Sequence, residues 1–181
     1  MESSGQIPGL EMKFCKFESV GLVGDDAVIA GYASVFGSKD QSGDQVAKGA
    51  FAASLAKSTS VKMLWQHDPA QPIGVWDEIR EDASGLFVKG RLLTEVQAGR
   101  EALALLKAGA IDGLSIGYRA VRSEKTAGGG RILREIELWE VSLVTFPMLR
   151  EARVTAPDED ARLVKEMTDF FEKAGALLAR N

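Results

Sequence analysis

The sequence predicts an α+β fold that is mostly β, with a largely antiparallel sheet and a few helices. Between Leu10 and Phe146, short runs rich in Val, Ile, Tyr and Phe alternate with turns that contain Gly, Asp or Pro. Apolar residues at helical spacing occur in only three segments. With 181 residues, of which 45% are hydrophobic, the chain is long enough to form one domain with a substantial core.

The first part of the chain is predicted to contain paired strands and a short helix. Residues 1–9 are polar and turn-rich, so we expect the first element to begin after them. Leu10–Val23 and Ala27–Phe36 lie on either side of a Gly-Asp-Asp turn, which predicts two paired strands. Asp44 is then suited to cap a short helix over Val46–Leu55.

The middle of the chain places a histidine at the end of a strand. Val61–Trp65 has the composition of a strand, and the turn that follows contains His67, Asp68 and Pro69. After a further turn, Leu86–Leu92 again has the pattern of a strand. We therefore expect His67 to lie at the end of a strand.

The next segment is predicted to be a helix followed by a hairpin. Thr94 and Gln97 form a capping-box pattern, and Gly109 is suited to the C-terminal cap of the helix. Leu114–Ser123 and Ile132–Phe146 are β-rich and flank an Ala-Gly-Gly-Gly sequence. This sequence predicts a hairpin turn rather than a phosphate-binding loop, because no Lys-Ser/Thr or Rossmann pattern accompanies it.

From Pro157 onward the pattern becomes that of an amphipathic helix. A proline and three acidic residues favour its start, and apolar side chains recur along one stripe. We therefore divide the chain into a flexible N-terminus (1–9), a main domain (10–156) and a C-terminal helix (157–181). The stripe is expected to pack on the main domain, on a second copy or on another protein. Packing on a second copy would give a homo-oligomer, which we expect.

Composition disfavours several classes of function. Twenty-two Lys and Arg against 26 Asp and Glu give a net charge of -4, so no nucleic-acid partner is expected. With only Cys15 and one histidine, we expect a reducing compartment, no disulfide and no metal. No window approaches the ~20 apolar residues of a membrane span and no signal-peptide pattern is seen, so we expect a soluble protein with no membrane partner.

A candidate hydrolytic site can be built around His67, the only histidine. Histidine is the usual proton carrier in such sites, but a lone one beside a turn is more often structural unless a nucleophile and an acid accompany it. Ser115 and Glu140 are the candidates, because symmetric pairing about the glycine turn would make them cross-strand neighbours on one face. Asp68 and Asp112 are competing carboxylates, although both lie beside turn signals that favour a local capping role.

Five strings stand out along residues 30–154. They are Gly31 to Gly37, the Asp44 to Phe51 stretch, Trp65-Gln66-His67-Asp68, Leu114-Ser115-Ile116-Gly117-Tyr118 and Glu140 to Pro147. In this order and spacing, they resemble the tailed-phage prohead protease family. One departure is that family members commonly follow Thr-Phe-Pro with Ala-Asn-Pro, whereas this chain has Met148-Leu149-Arg150, so no role of that asparagine is transferred.

The resemblance implies a serine endopeptidase of capsid maturation, with residues 10–156 as the protease domain. The implied fold is a closed antiparallel β-barrel wrapped by a few helices, distantly similar to the herpesvirus assembly proteases. By motif, His67 matches the general base, Ser115 the nucleophile and Glu140 the acidic residue, and the implied reaction needs no cofactor. The implied substrates are the major capsid protein and the scaffold polypeptide inside an assembling procapsid in the host cytoplasm, and the gene would be that of a phage, a prophage or a gene transfer agent.

Two questions stay open at the level of sequence. Hydrogen bonds to the oxyanion could come from backbone N–H groups near Ser115, from Arg119 or from Arg150. The main alternative to an enzyme is a catalytically silent barrel that acts as a scaffold or assembly factor and docks partners through its C-terminal helix. A hydrolase of small esters is disfavoured, because no Gly-x-Ser-x-Gly motif lies on a strand-to-helix turn.

Overall fold

The structure is a computed structural model that describes residues 11–14, 17–20, 27–40, 42–57, 60–145 and 152–154. The predicted helix from Pro157, the N-terminal segment 1–9 and Arg150 lie outside these residues. The strands are β1 (Glu11–Phe14), β2 (Phe17–Val20), β3 (Val28–Val35), β4 (Gln45–Val46), β5 (Lys62–Trp65), β6 (Asp68–Glu81), β7 (Gly85–Leu92), β8 (Gly113–Lys125), β9 (Arg131–Val144) and β10 (Ala152–Val154). The helices are α1 (Ala52–Ala56) and α2 (Gln97–Lys107).

One sheet contains most of the strands, in the order β1-β8-β9-β5-β6-β7-β3, with β4 also paired to β9. All of its strand pairs are antiparallel except β5–β9 and β4–β9, so the predicted largely antiparallel sheet is confirmed. The expected closed barrel is wrong for the described residues, because the sheet curls into a half-barrel whose end strands β1 and β3 do not pair. Closure requires the two end strands to pair with each other at a fixed stagger, and β1 and β3 do not pair in the described residues.

The first two predicted strands exist in part, but they do not pair with each other. Leu10–Val23 contains β1 and β2, of which β1 pairs with β8 and β2 with β10. β3, which corresponds to Ala27–Phe36, pairs instead with β7. Alternation of apolar and polar residues identifies a strand but does not specify its partner, and the predicted hairpin is therefore wrong.

The first helix begins later than predicted, because Asp44 has another partner. Its carboxylate accepts hydrogen bonds from the backbone N–H and the Nε–H of Arg131, at 2.7 and 3.0 Å, and Arg131 also contacts Glu11. The start of α1 is bound instead by Glu81, whose carboxylate accepts the N–H of Phe51 at 3.3 Å. The capping role predicted for Asp44 is wrong, and the residue links the loop before β4 to β9.

The second predicted helix is confirmed as α2, although its start differs. Val96 precedes the helix without a side-chain cap, so the predicted capping box of Thr94 is not formed. Gly109 ends the helix as predicted, with φ of +67° and its N–H donated to the carbonyl of Leu106 at 3.0 Å. The helices of the described residues have 5 and 11 residues, and none of them is long and apolar enough to cross a bilayer.

The turn between β6 and β7 is organised by Asp82. Its carboxylate accepts hydrogen bonds from the backbone N–H groups of Ser84 and Gly85, at 2.8 and 3.2 Å, and from the hydroxyl of Tyr32 at 2.8 Å. Burial acts to raise the pKa of Asp82, but these hydrogen bonds outweigh it, so that the pKa lies below its ordinary value. The predicted turn is confirmed, and the hydrogen bonds to Asp82 favour the charged form of its carboxylate.

The hydrophobic core is formed in part by buried apolar residues of the central strand β9. Leu138, Val141 and Leu143 are fully buried in the core cluster together with Leu114 and Ile116 of β8. Each such side chain contributes about 1.5–3 kcal/mol by its burial. Because side chains alternate along a strand, the residues on either side of Val141 project from the opposite face of the sheet. That face contains the candidate active site.

Candidate active site

Three adjacent strands position the three candidate residues. Ser115 lies on β8 and Glu140 on β9, while His67 follows the end of β5. β9 lies between the other two strands, antiparallel to β8 and parallel to β5. Residues separated by up to 73 positions in the sequence are thereby brought to one region of the sheet.

Ser115 and Glu140 share a face of the sheet, as predicted, but they are not directly opposite. Ser115 pairs with Ser142, and Glu140 pairs with Gly117. The expected pairing is therefore wrong by two residues. The ladder is irregular between Gly117 and Tyr118, and the strands are displaced relative to symmetric pairing about the glycine turn.

His67 reaches this face because the chain reverses in a left-handed turn. Trp65 pairs with Asp68, so Gln66 and His67 form a two-residue hairpin loop, with φ of +51° and +63°. These are the signs of a type I′ turn, in which Asn-Gly is the usual sequence. Non-glycine residues in this conformation cost roughly 1–2 kcal/mol each, and such strain concentrates at functional sites.

Hydrogen bonds to β9 hold this strained turn in place. The backbone N–H of Gln66 donates to the carbonyl of Leu143 at 2.9 Å. The side chain of Gln66 donates to Thr145 Oγ1 at 2.6 Å and accepts the Thr145 N–H at 3.4 Å. The turn that presents His67 is thus attached to the end of the strand that contains Glu140.

The imidazole and the carboxylate are in direct contact. His67 Nδ1 lies 2.5 Å from Glu140 Oε1, and the two side chains are only 8% and 5% exposed. An ionised carboxylate can only accept, so Nδ1 carries the proton when Glu140 is charged, and Nε2 is then the basic nitrogen. Screening by water is weak at this burial, which strengthens the pair.

A second serine completes the network around the carboxylate. The hydroxyl of Ser142 donates to Glu140 Oε2 at 2.5 Å and accepts the backbone N–H of His67 at 3.2 Å. Ser142 is fully buried. It was not singled out from the sequence, although its position two residues after Glu140 places it on the same face of the strand.

Gly117 provides the space that the carboxylate occupies. A Cβ atom added at this position would lie 2.1 Å from Glu140 Oε1 and 2.8 Å from its Cδ. The group that comes close to this glycine is the candidate acid. Any other residue here would displace Glu140.

Ser115 is fully buried, and its Oγ makes no hydrogen bond with the residues that the structure describes. The contact between Ser115 and His67 is therefore not made in this structure. Hydrogen bonds of this kind often form only when a substrate is bound. The structure joins two of the three candidate residues and places the third on the neighbouring strand.

The competing residues have other contacts. Asp68 accepts hydrogen bonds from the N–H of Ala70 and from the side chain of Gln71, each at 2.8 Å, as its turn position predicts. Asp112 lies in the loop between α2 and β8. Arg119, a candidate oxyanion donor, forms an ion pair with Glu137 at 2.5 Å. Within the described residues, no cluster of three or more His, Cys, Asp or Glu side chains could hold a metal ion.

Comparisons with known proteins show the family of this chain. The family described as Caudovirus prohead serine protease matches residues 15–168. The prohead protease of Enterobacteria phage HK97 is 35% identical over 137 residues, which cover 74% of this chain and 61% of that protein. The prohead protease of Escherichia phage T5 is 30% identical over 123 residues, 66% of this chain and 57% of that protein. This chain thus spans about three fifths of the length of these relatives.

The fold also has a solved counterpart. The structure of the bacteriophage T4 capsid assembly protease has a TM-score of 0.60 and 16% identity, and the match covers 76% of this chain and 98% of that one. Varicella-zoster virus protease has a TM-score of 0.42, too low to support an inference. Because the family match extends over most of the sequence and includes the strands that position His67, Ser115 and Glu140, the chain belongs to the Caudovirus prohead serine protease family.

Proposed function

We propose that this chain is a serine endopeptidase that cleaves capsid and scaffold polypeptides inside an assembling procapsid in the host cytoplasm. The observation that supports this most directly is the buried contact between His67 Nδ1 and Glu140 Oε1 at 2.5 Å, on strands adjacent to that of Ser115. Family membership supplies the reaction class. The relatives from phages HK97 and T5, both described as prohead proteases, suggest the substrates.

In the proposed mechanism, Ser115 Oγ attacks the carbonyl carbon of the scissile peptide bond while its proton passes to His67 Nε2. Glu140 holds the ring through Nδ1 and stabilises the imidazolium that forms. The same proton is then donated to the leaving amine, which breaks the peptide bond and leaves an acyl-enzyme. Water, deprotonated by the same nitrogen, releases the acid and restores Ser115.

The non-enzymatic alternative, a silent scaffold, is not favoured. A scaffold needs neither a buried carboxylate against an imidazole nor a left-handed turn at Gln66 and His67, both of which cost folding free energy. In a protease, the same features orient the general base. Substrate binding would close the gap between Ser115 and His67.

The test is co-expression with the cognate major capsid protein, followed by mass spectrometry of the new termini. Ser115→Ala should abolish processing and leave the fold intact, because it removes a single hydroxyl. Ser123→Ala is the matched control, since Ser123 is an exposed residue of the same strand. In addition, an organophosphonate probe should label Ser115, and His67→Ala should prevent labelling. Normal processing by folded Ser115→Ala protein would refute the assignment of the nucleophile.

A further inference from the structure

We propose that Ser142 is a positioning residue that fixes both partners of the His67–Glu140 contact. This inference rests on the proposed protease function. It begins with the two hydrogen bonds of the Ser142 hydroxyl, which donates to Glu140 Oε2 at 2.5 Å and accepts the His67 N–H at 3.2 Å. One hydroxyl therefore joins the side chain of the acid to the backbone of the base.

The first hydrogen bond fixes the plane of the carboxylate. The terminal torsion of a glutamate is broad, so covalent geometry alone does not determine where its two oxygens lie. In this site, Oε1 faces His67 and Oε2 is held by Ser142. With Oε2 released, the contact with His67 alone would limit rotation of the carboxylate, because Gly117, against which the carboxylate lies, has no side chain.

The second hydrogen bond fixes the backbone that supports the ring. His67 has a φ of +63°, a conformation that persists only when its surroundings stabilise it. The N–H of this residue points at Ser142 Oγ on the neighbouring strand, so the hydroxyl supports the turn directly at the histidine. Release of this contact would let the ring move relative to Glu140.

These contacts also indicate that Ser142 is not a second nucleophile. A hydroxyl has one proton to donate, and that of Ser142 is given to Glu140. A nucleophilic serine must instead give its proton to the basic nitrogen of the histidine. Ser142 is connected to Nδ1 of the histidine through its hydrogen bond to Glu140. The nitrogen that accepts the proton from Ser115 is the other one, Nε2.

The kinetic test is Ser142→Ala in the full chain, assayed with a peptide from a capsid cleavage site. A charge-assisted hydrogen bond to a buried group corresponds to a roughly 10- to 100-fold effect, so kcat should fall by about that factor while KM changes little. Ser142→Thr retains the hydroxyl and should recover most of the rate. The matched control is Ser54→Ala, because Ser54 is also buried and its Oγ accepts an N–H of β9, that of Leu138 at 2.9 Å, outside the site.

A spectroscopic readout separates positioning from a general loss of stability. His67 is the only histidine, so its ring resonances in a 15N NMR spectrum are unambiguous. Wild-type protein should show the Nδ1–H tautomer with a slowly exchanging proton, whereas Ser142→Ala should show faster exchange and a mixed tautomer. Ser54→Ala should leave these resonances unchanged.

The outcomes distinguish this inference from the proposed function. If Ser115→Ala is inactive but folded Ser142→Ala keeps wild-type kcat and an unchanged His67 spectrum, the positioning role is refuted and the protease assignment stands. If Ser142→Ala fails to fold, Ser142→Thr and Ser142→Cys provide the comparison, because only the threonine retains a strong donor. Equal kcat values for these two variants would then overturn the proposal.

Discussion

Substitution of Gly117 by alanine tests whether the position of Glu140 matters for catalysis. The new methyl group would lie 2.1 Å from Glu140 Oε1, whereas ordinary contact begins at 3.4 Å, so the carboxylate must retreat by about 1.3 Å. The same oxygen contacts His67 Nδ1 at 2.5 Å, and a shift of this size cannot preserve that hydrogen bond. The fold should survive, because the atoms that must move, Oε1, Cδ and Cγ of Glu140, belong to one side chain rather than to the backbone.

The magnitude follows from the size of this displacement. A misplacement of about 1 Å in a catalytic group can cost roughly 100-fold in rate. We therefore expect Gly117→Ala to lower kcat by about 10²-fold, which corresponds to about 2.7 kcal/mol of activation free energy. KM should change much less, because Gly117 and Glu140 are both buried and are not expected to contact the substrate.

The assay is steady-state cleavage of a capsid-derived peptide, with urea unfolding to confirm the fold. Gly128→Ala, in the turn of the same hairpin, is the matched control, since nothing lies within 4 Å of a Cβ added there. The effect should also disappear in a Glu140→Ala background, where the clash is absent. A folded Gly117→Ala enzyme within about twofold of wild type would refute the reasoning.

Two further predictions concern carboxylates. Glu140→Gln keeps the shape of the side chain but removes the charge that stabilises the imidazolium, and it offers an amide donor to the ring. We therefore expect kcat to fall by about 10²–10⁴-fold. Asp68→Asn and Asp112→Asn should have little effect on activity. Peptide-cleavage kinetics of the three variants check this order, and an inactive, folded Asp68 or Asp112 variant beside an active Glu140→Gln enzyme would reverse it. Asp82→Ala should lower the free energy of unfolding by about 1–2 kcal/mol at neutral pH, because three hydrogen bonds are lost. Folding lowers the pKa of Asp82, so its contribution to the free energy of unfolding is present above the ordinary value of 3.8 and is lost as the pH falls below it. The difference between wild type and variant in urea unfolding should therefore shrink in acid. A constant difference would contradict this.

The sequence was informative where local chemistry decides the structure. The glycine turn located the hairpin of β8 and β9, and the His-Asp-Pro turn located His67 at the end of β5, because turns depend on neighbouring residues. The shared face of Ser115 and Glu140 followed from the alternation of side chains.

Features that depend on distant partners could not be obtained in this way. The irregularity beside Gly117 and the position of the turn each shifted the pairing by one residue, so that Ser115 pairs with Ser142 rather than Glu140, and no local pattern marks the irregularity. Asp44 has the sequence context of a helix cap, yet Arg131, 87 positions away, binds it. The sheet is likewise open because its two end strands do not pair within the part of the chain that the structure describes, and whether they do is a property of the whole fold.

The parallel pairing of β5 with β9 has a consequence for when activity can arise. Parallel strands cannot be joined by a short turn, and here the connection includes β6, β7, α2 and β8. Contacts between residues so distant in the sequence are slow to form, because the entropy of closing the intervening chain is lost before the contacts are gained. We therefore expect the His67–Glu140 pair to form late in folding, after the chain between β5 and β9 has been brought together. Under the proposed function, nascent or partly folded chains contain no competent site, so neither they nor the host proteins around them are exposed to premature cleavage.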